Sequence, residues 1–291
     1  MAQVLDTQAL DTQALDTQAL ETGEFAAEPG GDFVVAQGWA DYTDIDHVIW
    51  RRLFERQCRL LPGRACDQYL AGLEGLGVAA DGIPDFERLS DILDRATGWR
   101  IVAVSGRVPD DVFFTHLAAR RFPAIRWIRR PERMDDLQVP DAFHDVFGHL
   151  PMLMNPVFAD YLAACGRGGL KALALGALPK LARLYWYTVG FGLIRTAEGL
   201  RIYGSGIVSS PGESRYCLED PKPDRILFDL LRVMRTGYRI DAYQDCYFVI
   251  DSFEQLFDAT RLDFAPYYEV LARLSDIAPG ERLAEDALCH A

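Results

Sequence analysis

Apolar residues recur at helical spacing along much of the chain and in short continuous runs elsewhere. Over 46–60, Val48, Ile49, Leu53 and Phe54 line one face and Leu61-Pro62-Gly63 closes the run, which predicts a helix. A second amphipathic helix is predicted over 85–96, a third over 110–121, and a helical stretch over 141–149 that stops at Pro151. A long helix with proline near its start is predicted over 179–195, with further helices over 224–235 and 252–274. Short apolar runs at 101–104 and 124–128 read as strands, and the Gly/Ser-rich stretch 204–210 reads as irregular. The pattern predicts a mostly α protein with a few short strands (α+β), folded as a single domain.

Residues 1–31 fall outside that pattern. The pentad Asp-Thr-Gln-Ala-Leu occurs three times between Leu5 and Leu20, and a five-residue period matches neither helix nor strand. Its leucines would spiral around a helix without forming a stripe. The segment therefore reads as a flexible, acidic low-complexity tail, with a docking peptide as the alternative, and Glu28-Pro29-Gly30-Gly31 breaks the chain after it. The folded unit is expected over 32–285.

Composition narrows the partners. Of 291 residues, 49% are hydrophobic, enough for a substantial core. The formal net charge of −13 argues against nucleic acid or an anionic membrane as partner. The N-terminus has no basic region followed by an apolar run, and no stretch approaches the length of a membrane helix, so a cytoplasmic protein is expected. Six cysteines include no Cys-x-x-Cys pair and read as thiols in a reducing compartment.

Candidate chemistry concentrates in one short segment. The chain has five histidines, and two of them, His144 and His149, lie in the run Pro140-Asp141-Ala142-Phe143-His144-Asp145-Val146-Phe147-Gly148-His149-Leu150-Pro151. On an ideal α-helix, residues five apart point about 140° away from each other, a poor arrangement for one metal ion. The pair works if the helix ends or distorts near the second histidine, and Gly148 and Pro151 supply a reason for it to do so. Neutral imidazole suits iron, zinc, copper and nickel. Two unrelated histidines, one exposed and one packed, and a pair holding a structural metal are the competing readings. Asp145 is either an acceptor that orients an imidazole or a solvated helix residue.

That run closely resembles the iron-binding segment of the aromatic amino acid hydroxylases, the family that acts on phenylalanine, tyrosine and tryptophan. Gln37-Gly38-Trp39 and the stretch from Leu60 to Cys66 are similar to the start of its bacterial members, and Trp127 to Glu132 resembles their substrate-carboxylate segment. Leu184 to Val189 resembles the helix that bears the third iron ligand, and Gly204 to Ser210 the loop that closes the substrate pocket. The resemblance covers about 32–275. It implies ferrous iron, a tetrahydropterin such as tetrahydrobiopterin, and O2, used to hydroxylate an aromatic ring, with L-phenylalanine to tyrosine as the favoured reaction. By resemblance His144 and His149 hold the iron. Arg129 and Ser209 hold the substrate carboxylate, and Pro140, Trp186 and Phe191 wall the aromatic pocket. Phe113 stacks on the pterin, whose edge meets the backbone from Gly106 through Val108 to Asp110, with Asp145 on the same cofactor side. Read from the residues alone, Arg129 is a surface salt-bridge former, Ser209 a loop cap, and Pro140, Trp186, Phe191 and Phe113 are core.

One position departs from the family. Tyr185-Trp186-Tyr187-Thr188-Val189 is followed by Gly190, where the resemblance implies a glutamate ligand. Within a helix this glycine costs roughly 1 kcal/mol relative to alanine, so local stability does not explain it. Among nearby carboxylates, Glu198 lies too far along an extended helix to substitute, and Glu213 reaches the metal only if its loop folds over it. Weakened iron binding, a non-catalytic protein that binds pterin or an aromatic amino acid, and an exogenous anion such as halide in the vacancy all follow from the missing carboxylate. Asp136 and Val139 depart from bacterial relatives in lesser ways. With no heptad helix at the C-terminus and no room for a regulatory domain before residue 32, a monomer is expected.

Overall fold

The computed structural model describes residues 31–135, 140–261 and 263–289. Nearly all of the expected tail, and Asp136 and Val139, lie outside the described residues. In chain order the elements begin with β1 (Val34–Val35), α1 (Asp44–Leu60), α2 (Asp67–Gly75), α3 (Phe86–Thr97), β2 (Arg100–Val104), α4 (Asp110–Ala118) and β3 (Arg121–Ile125). A π-helical turn (His144–His149) runs into α5 (Leu150–Leu153), followed by α6 (Pro156–Ala174) and α7 (Leu178–Tyr185). A second π turn (Trp186–Gly190) leads to β4 (Leu193–Thr196), β5 (Gly199–Ile202), α8 (Ser205–Val208) and α9 (Glu213–Glu219). The chain continues with β6 (Asp224–Leu227), α10 (Leu230–Arg235), β7 (Cys246–Ile250), α11 (Phe253–Thr260) and α12 (Phe264–Leu271). This is the mostly helical, single-domain α+β fold that the hydrophobic pattern predicts.

Local chemistry sets several boundaries. Thr43 and Asp46 cap each other's backbone at the start of α1, so the helix begins two residues before its periodic stripe. Asp85 caps α3, and Gly98, at φ 73°, ends it in the left-handed region that favours glycine. The first sheet runs β1-β2-β3, with β2 and β3 parallel and α4 crossing between them. The second runs β5-β4-β7-β6, a hairpin joined to two parallel strands.

The helix α6 packs against α4 and α11. Gly166 lets its backbone approach α4 so closely that an added Cβ would sit 2.2 Å from the Ala118 amide nitrogen, and at Gly169 the same atom would enter the Phe114 ring. The two helices therefore meet almost backbone to backbone. Buried aromatic residues, including Trp50, Trp99, Tyr69, Phe143 and Phe147, fill the remaining core. Cys58, Cys66, Cys165, Cys217 and Cys246 are free thiols. Among the described residues no helix is long and apolar enough to cross a membrane.

Several predicted elements are corrected. The helix expected over 110–121 ends at Ala118, and Arg121 begins β3, so the second strand lies three residues earlier than 124–128. The helix expected over 179–195 ends at Gly190, because residues 193–196 pair with β5 and β7. Residues 224–227 form β6 rather than helix, 252–274 divides into α11 and α12, and residues 205–208 form α8 rather than irregular backbone.

Candidate metal centre

Pro151 does not stop its helix as expected; it widens it. Proline has no N–H for the carbonyl four residues back, and its ring crowds that carbonyl, which belongs to Phe147. The turn before it opens into the π form, and the freed Phe147 carbonyl accepts from the buried Tyr69 hydroxyl (2.7 Å). The second π turn has a parallel cause. The Thr188 hydroxyl bonds the Leu184 carbonyl (2.6 Å) and meets the Tyr161 hydroxyl (2.6 Å), while the Phe191 amide reaches back five residues to the Trp186 carbonyl (2.9 Å). Both segments pack against α8. An added Cβ would fall 2.8 Å from the Ser205 carbonyl at Gly148, and 2.6 Å from the Gly190 carbonyl at Gly204.

A π turn closes in little more than four residues, so positions five apart diverge far less than on an α-helix. The imidazoles of His144 and His149 accordingly meet with ring centroids 5.0 Å apart, edge to face, rather than diverging as on an α-helix. Ligand atoms of His144, Asp145 and His149 lie within 4.8 Å of one another. Burial drives the His144 pKa down to about 4, helped by Arg129 and opposed by Asp141. Burial and the neighbouring His144 hold His149 well below the usual range as well. Both rings are therefore neutral at pH 7, the form that binds metal. Ser209 fixes the tautomer. Its hydroxyl donates its one proton to the Ser205 carbonyl (2.7 Å), so at His144 Nδ1 (3.0 Å) it accepts, and His144 Nε2 keeps its lone pair for an ion. Two neutral imidazoles and a carboxylate make a donor set that suits ferrous iron.

The structure distributes the other expected residues unevenly. Asp145 is neither solvated nor bonded to an imidazole: it is buried, and its Oδ2 accepts from the Ile125 amide (2.7 Å). Arg129 is not on the surface. Its Nε and Nη2 both bond the fully buried Asp141 (2.8 and 2.9 Å), leaving Nη1 without a protein partner among the described residues. Burial pushes the Asp141 carboxyl up, but the Arg129 charge and the amides of Arg129 and His144 outweigh it and hold the group below the usual carboxylate range. Trp186 is stacked between Phe191 (4.8 Å) and Tyr238 (4.2 Å), and its indole N–H donates to Gln244 Oε1 (3.1 Å). Pro140 and Phe113 are half-buried, and Phe113 sits edge-on to Phe114 and Tyr185. Gly106 is buried and Val108 half-buried. Asp110 starts α4, whose first turn has no side-chain cap, so its amides stay open.

Neither substitute carboxylate reaches the histidines. Glu198 lies in the exposed β4–β5 turn, paired with Arg201 (3.0 Å). Glu213 opens α9 and accepts from the Tyr247 hydroxyl (2.7 Å) and the Gln244 amide (3.2 Å). Gly190 itself is buried, and a Cβ built there meets nothing within 4 Å. Asp141, Tyr238 and Gln244 went unnoticed in the sequence. Only Asp141 had a local signal, an acid three residues before a helical histidine, where it caps the turn.

Burial raises the Glu213 carboxyl to about 7 against the pull of Tyr247 and Gln244. Its folded pKa lies above its unfolded value of 4.5, so the folded state holds the proton more tightly, and stability falls as pH rises between those values. Glu213→Gln keeps an acceptor for both partners and removes the charge. Between pH 5 and pH 8 the parent should lose about 2–3 kcal/mol relative to this variant. Urea denaturation at the two pH values measures the difference; a constant offset would contradict the assignment.

Comparison with known proteins agrees with this site. Residues 36–272 match the biopterin-dependent aromatic amino acid hydroxylases. The phenylalanine-4-hydroxylase of Ralstonia nicotianae is 62% identical over 260 residues, covering 89% of this chain and 83% of that one. The Chromobacterium violaceum phenylalanine-4-hydroxylase is 59% identical, covering 89% and 88%. The iron- and phenylalanine-bound crystal structure of the Chromobacterium violaceum phenylalanine hydroxylase superposes with a TM-score of 0.88 at 55% identity, covering 94% of this chain and 99% of that one. A match of this length, over a fold with two neutral histidines facing each other in its core, means that the chain belongs to the biopterin-dependent aromatic amino acid hydroxylases.

Proposed function

We propose that the chain is an iron- and tetrahydropterin-dependent phenylalanine 4-monooxygenase, acting as a monomer in the cytoplasm. The paired neutral imidazoles of His144 and His149, with Nε2 of His144 presented by Ser209, carry this reading. The names of the closely similar relatives supply the substrate.

Bound iron and pterin would together activate O2 for insertion into an aromatic C–H bond. The chain's own residues do the rest. Asp141 holds the guanidinium of Arg129 rigid, so its free Nη1 makes one fixed contact to the substrate carboxylate rather than a two-point clamp. Ser209, expected at that carboxylate, also lies against the His144 ring, with its Oγ 3.0 Å from Nδ1. The Phe191–Trp186–Tyr238 stack, tied down by Gln244, gives the ring of the substrate a flat apolar wall, with Pro140 at its rim. Phe113 and the uncapped first-turn amides of α4 from Asp110 form the pterin side, beside the backbone of Gly106 and Val108. Gly190 stands where the resemblance implies a glutamate ligand, so position 190 offers no side-chain donor to the iron.

Anaerobic loading with ferrous iron, followed by phenylalanine, tetrahydropterin and air, should yield tyrosine. Leaving out either iron or pterin should abolish it. Stoichiometric iron uptake with no tyrosine, and no pterin oxidation, would reduce the chain to a binding protein.

A further inference from the structure

We infer that Asp145 is the third protein ligand of the metal in this chain, in place of a carboxylate from position 190; the inference rests on the metal-centre reading above. Geometry supplies the first argument. Viewed down the axis of a π turn, the sixth residue projects between the first and the second. His149 therefore falls between His144 and Asp145, and all three side chains share one face, with ligand atoms no more than 4.8 Å apart. An ion at their centre would lie within about 2.8 Å of each ligand atom and would need to draw each in by roughly 0.6 Å to touch all three.

Charge supplies the second. Asp145 is only 6% exposed, and one oxygen, Oδ2, accepts the Ile125 amide. Among the described residues no hydrogen bond uses Oδ1 and no lysine or arginine pairs with the carboxylate; Arg129 is bound to Asp141 through two nitrogens. A buried carboxylate without a cation is costly, and a divalent ion between it and two neutral imidazoles removes that cost. The Ile125 amide holds Oδ2, which fixes the carboxylate plane and leaves Oδ1 as the ligand atom, in the way that ligating carboxylates are usually oriented. The remaining candidates are excluded by their own partners: Glu213 by Tyr247 and Gln244, Glu198 by Arg201. Two histidines and one carboxylate, the donor set of a facial triad, thus come from six consecutive residues.

The test is anaerobic titration with Co(II) alone, followed by visible absorption and calorimetry, on the parent, Asp145→Asn and His149→Ala. The asparagine keeps an acceptor for the Ile125 amide and removes a buried charge, so metal-free Asp145→Asn should be no less stable to heat than the parent. Its Co(II) affinity should fall at least about tenfold and its d–d bands should shift, because a ligand has been exchanged. Binding within twofold of the parent with the same bands would overturn the inference. So would weaker binding with unchanged bands, which would make Asp145 a positioning residue. If His149→Ala abolishes uptake while Asp145→Asn leaves it intact, the metal centre stands and only this ligand assignment fails. If the parent takes up no Co(II), both fail.

Discussion

Gly190→Glu should bind ferrous iron on the order of 100-fold more tightly than the parent chain. Even partners that only orient a ligand are worth about 10–100-fold in metal affinity, and a direct carboxylate ligand adds charge as well as geometry. The structure admits the change at little cost. A Cβ at position 190 meets no heavy atom within 4 Å, and the position closes a helical turn, where glycine is the poorer former by about 1 kcal/mol. With Asp145 already a ligand, the gain comes on top of one charge; without it, the gain is larger still. Anaerobic iron titration with a competing chelator measures the ratio, and tyrosine formed per iron should rise with it. A ratio below about three would mean that position 190 does not face the imidazoles.

Arg129→Met should destabilise the protein by about 3–5 kcal/mol, the usual result of removing one partner from a buried ion pair. Asp141 is fully buried, and among the described residues the Arg129 guanidinium is the one cation paired with it. The sign with pH is distinctive. In the parent the Asp141 carboxyl is held below its unfolded value of 3.8, so its contribution is present above that pH and is lost as pH falls through the folded pKa. Without Arg129, burial dominates and raises the folded pKa above the unfolded one. The deficit of the variant should therefore be larger at pH 8 than at pH 5. Adding Asp141→Asn, which removes the buried charge and keeps one oxygen for the His144 amide, should recover part of the loss. A deficit independent of pH, or no recovery, would mean that packing rather than charge sets the cost.

The His-x4-His segment was legible in the sequence, and so was the need for a distorted helix around it, because glycine and proline leave a local signature. The remedy was not legible. That Tyr69, from α2, supplies the donor proline lacks is a contact between distant parts of the chain. Helices with caps and clear stripes, such as α1 and α3, were found to within two residues. The stretch 224–235 failed because the apolar residues of β6 run directly into those of α10, and their periods merge. The helix α6, the longest among the described residues, is not among the predicted elements: its stripe of Phe158, Tyr161, Leu162 and Cys165 gives way after Gly166 to small residues that face α4. Arg129 was misjudged because the basic run around it looks solvated, and only the fold reveals that Asp141 lies opposite.

With all three donors in one turn, the order of assembly changes. A carboxylate from residue 190 could meet the histidines only after the chain through α5, α6 and α7 had closed into a loop, so ion capture would have to wait for long-range folding. Here the donors gather when a single turn forms. Metal uptake should then be only loosely linked to global stability, and a chelator should strip the protein without melting it, leaving an apoprotein that can be reloaded in place.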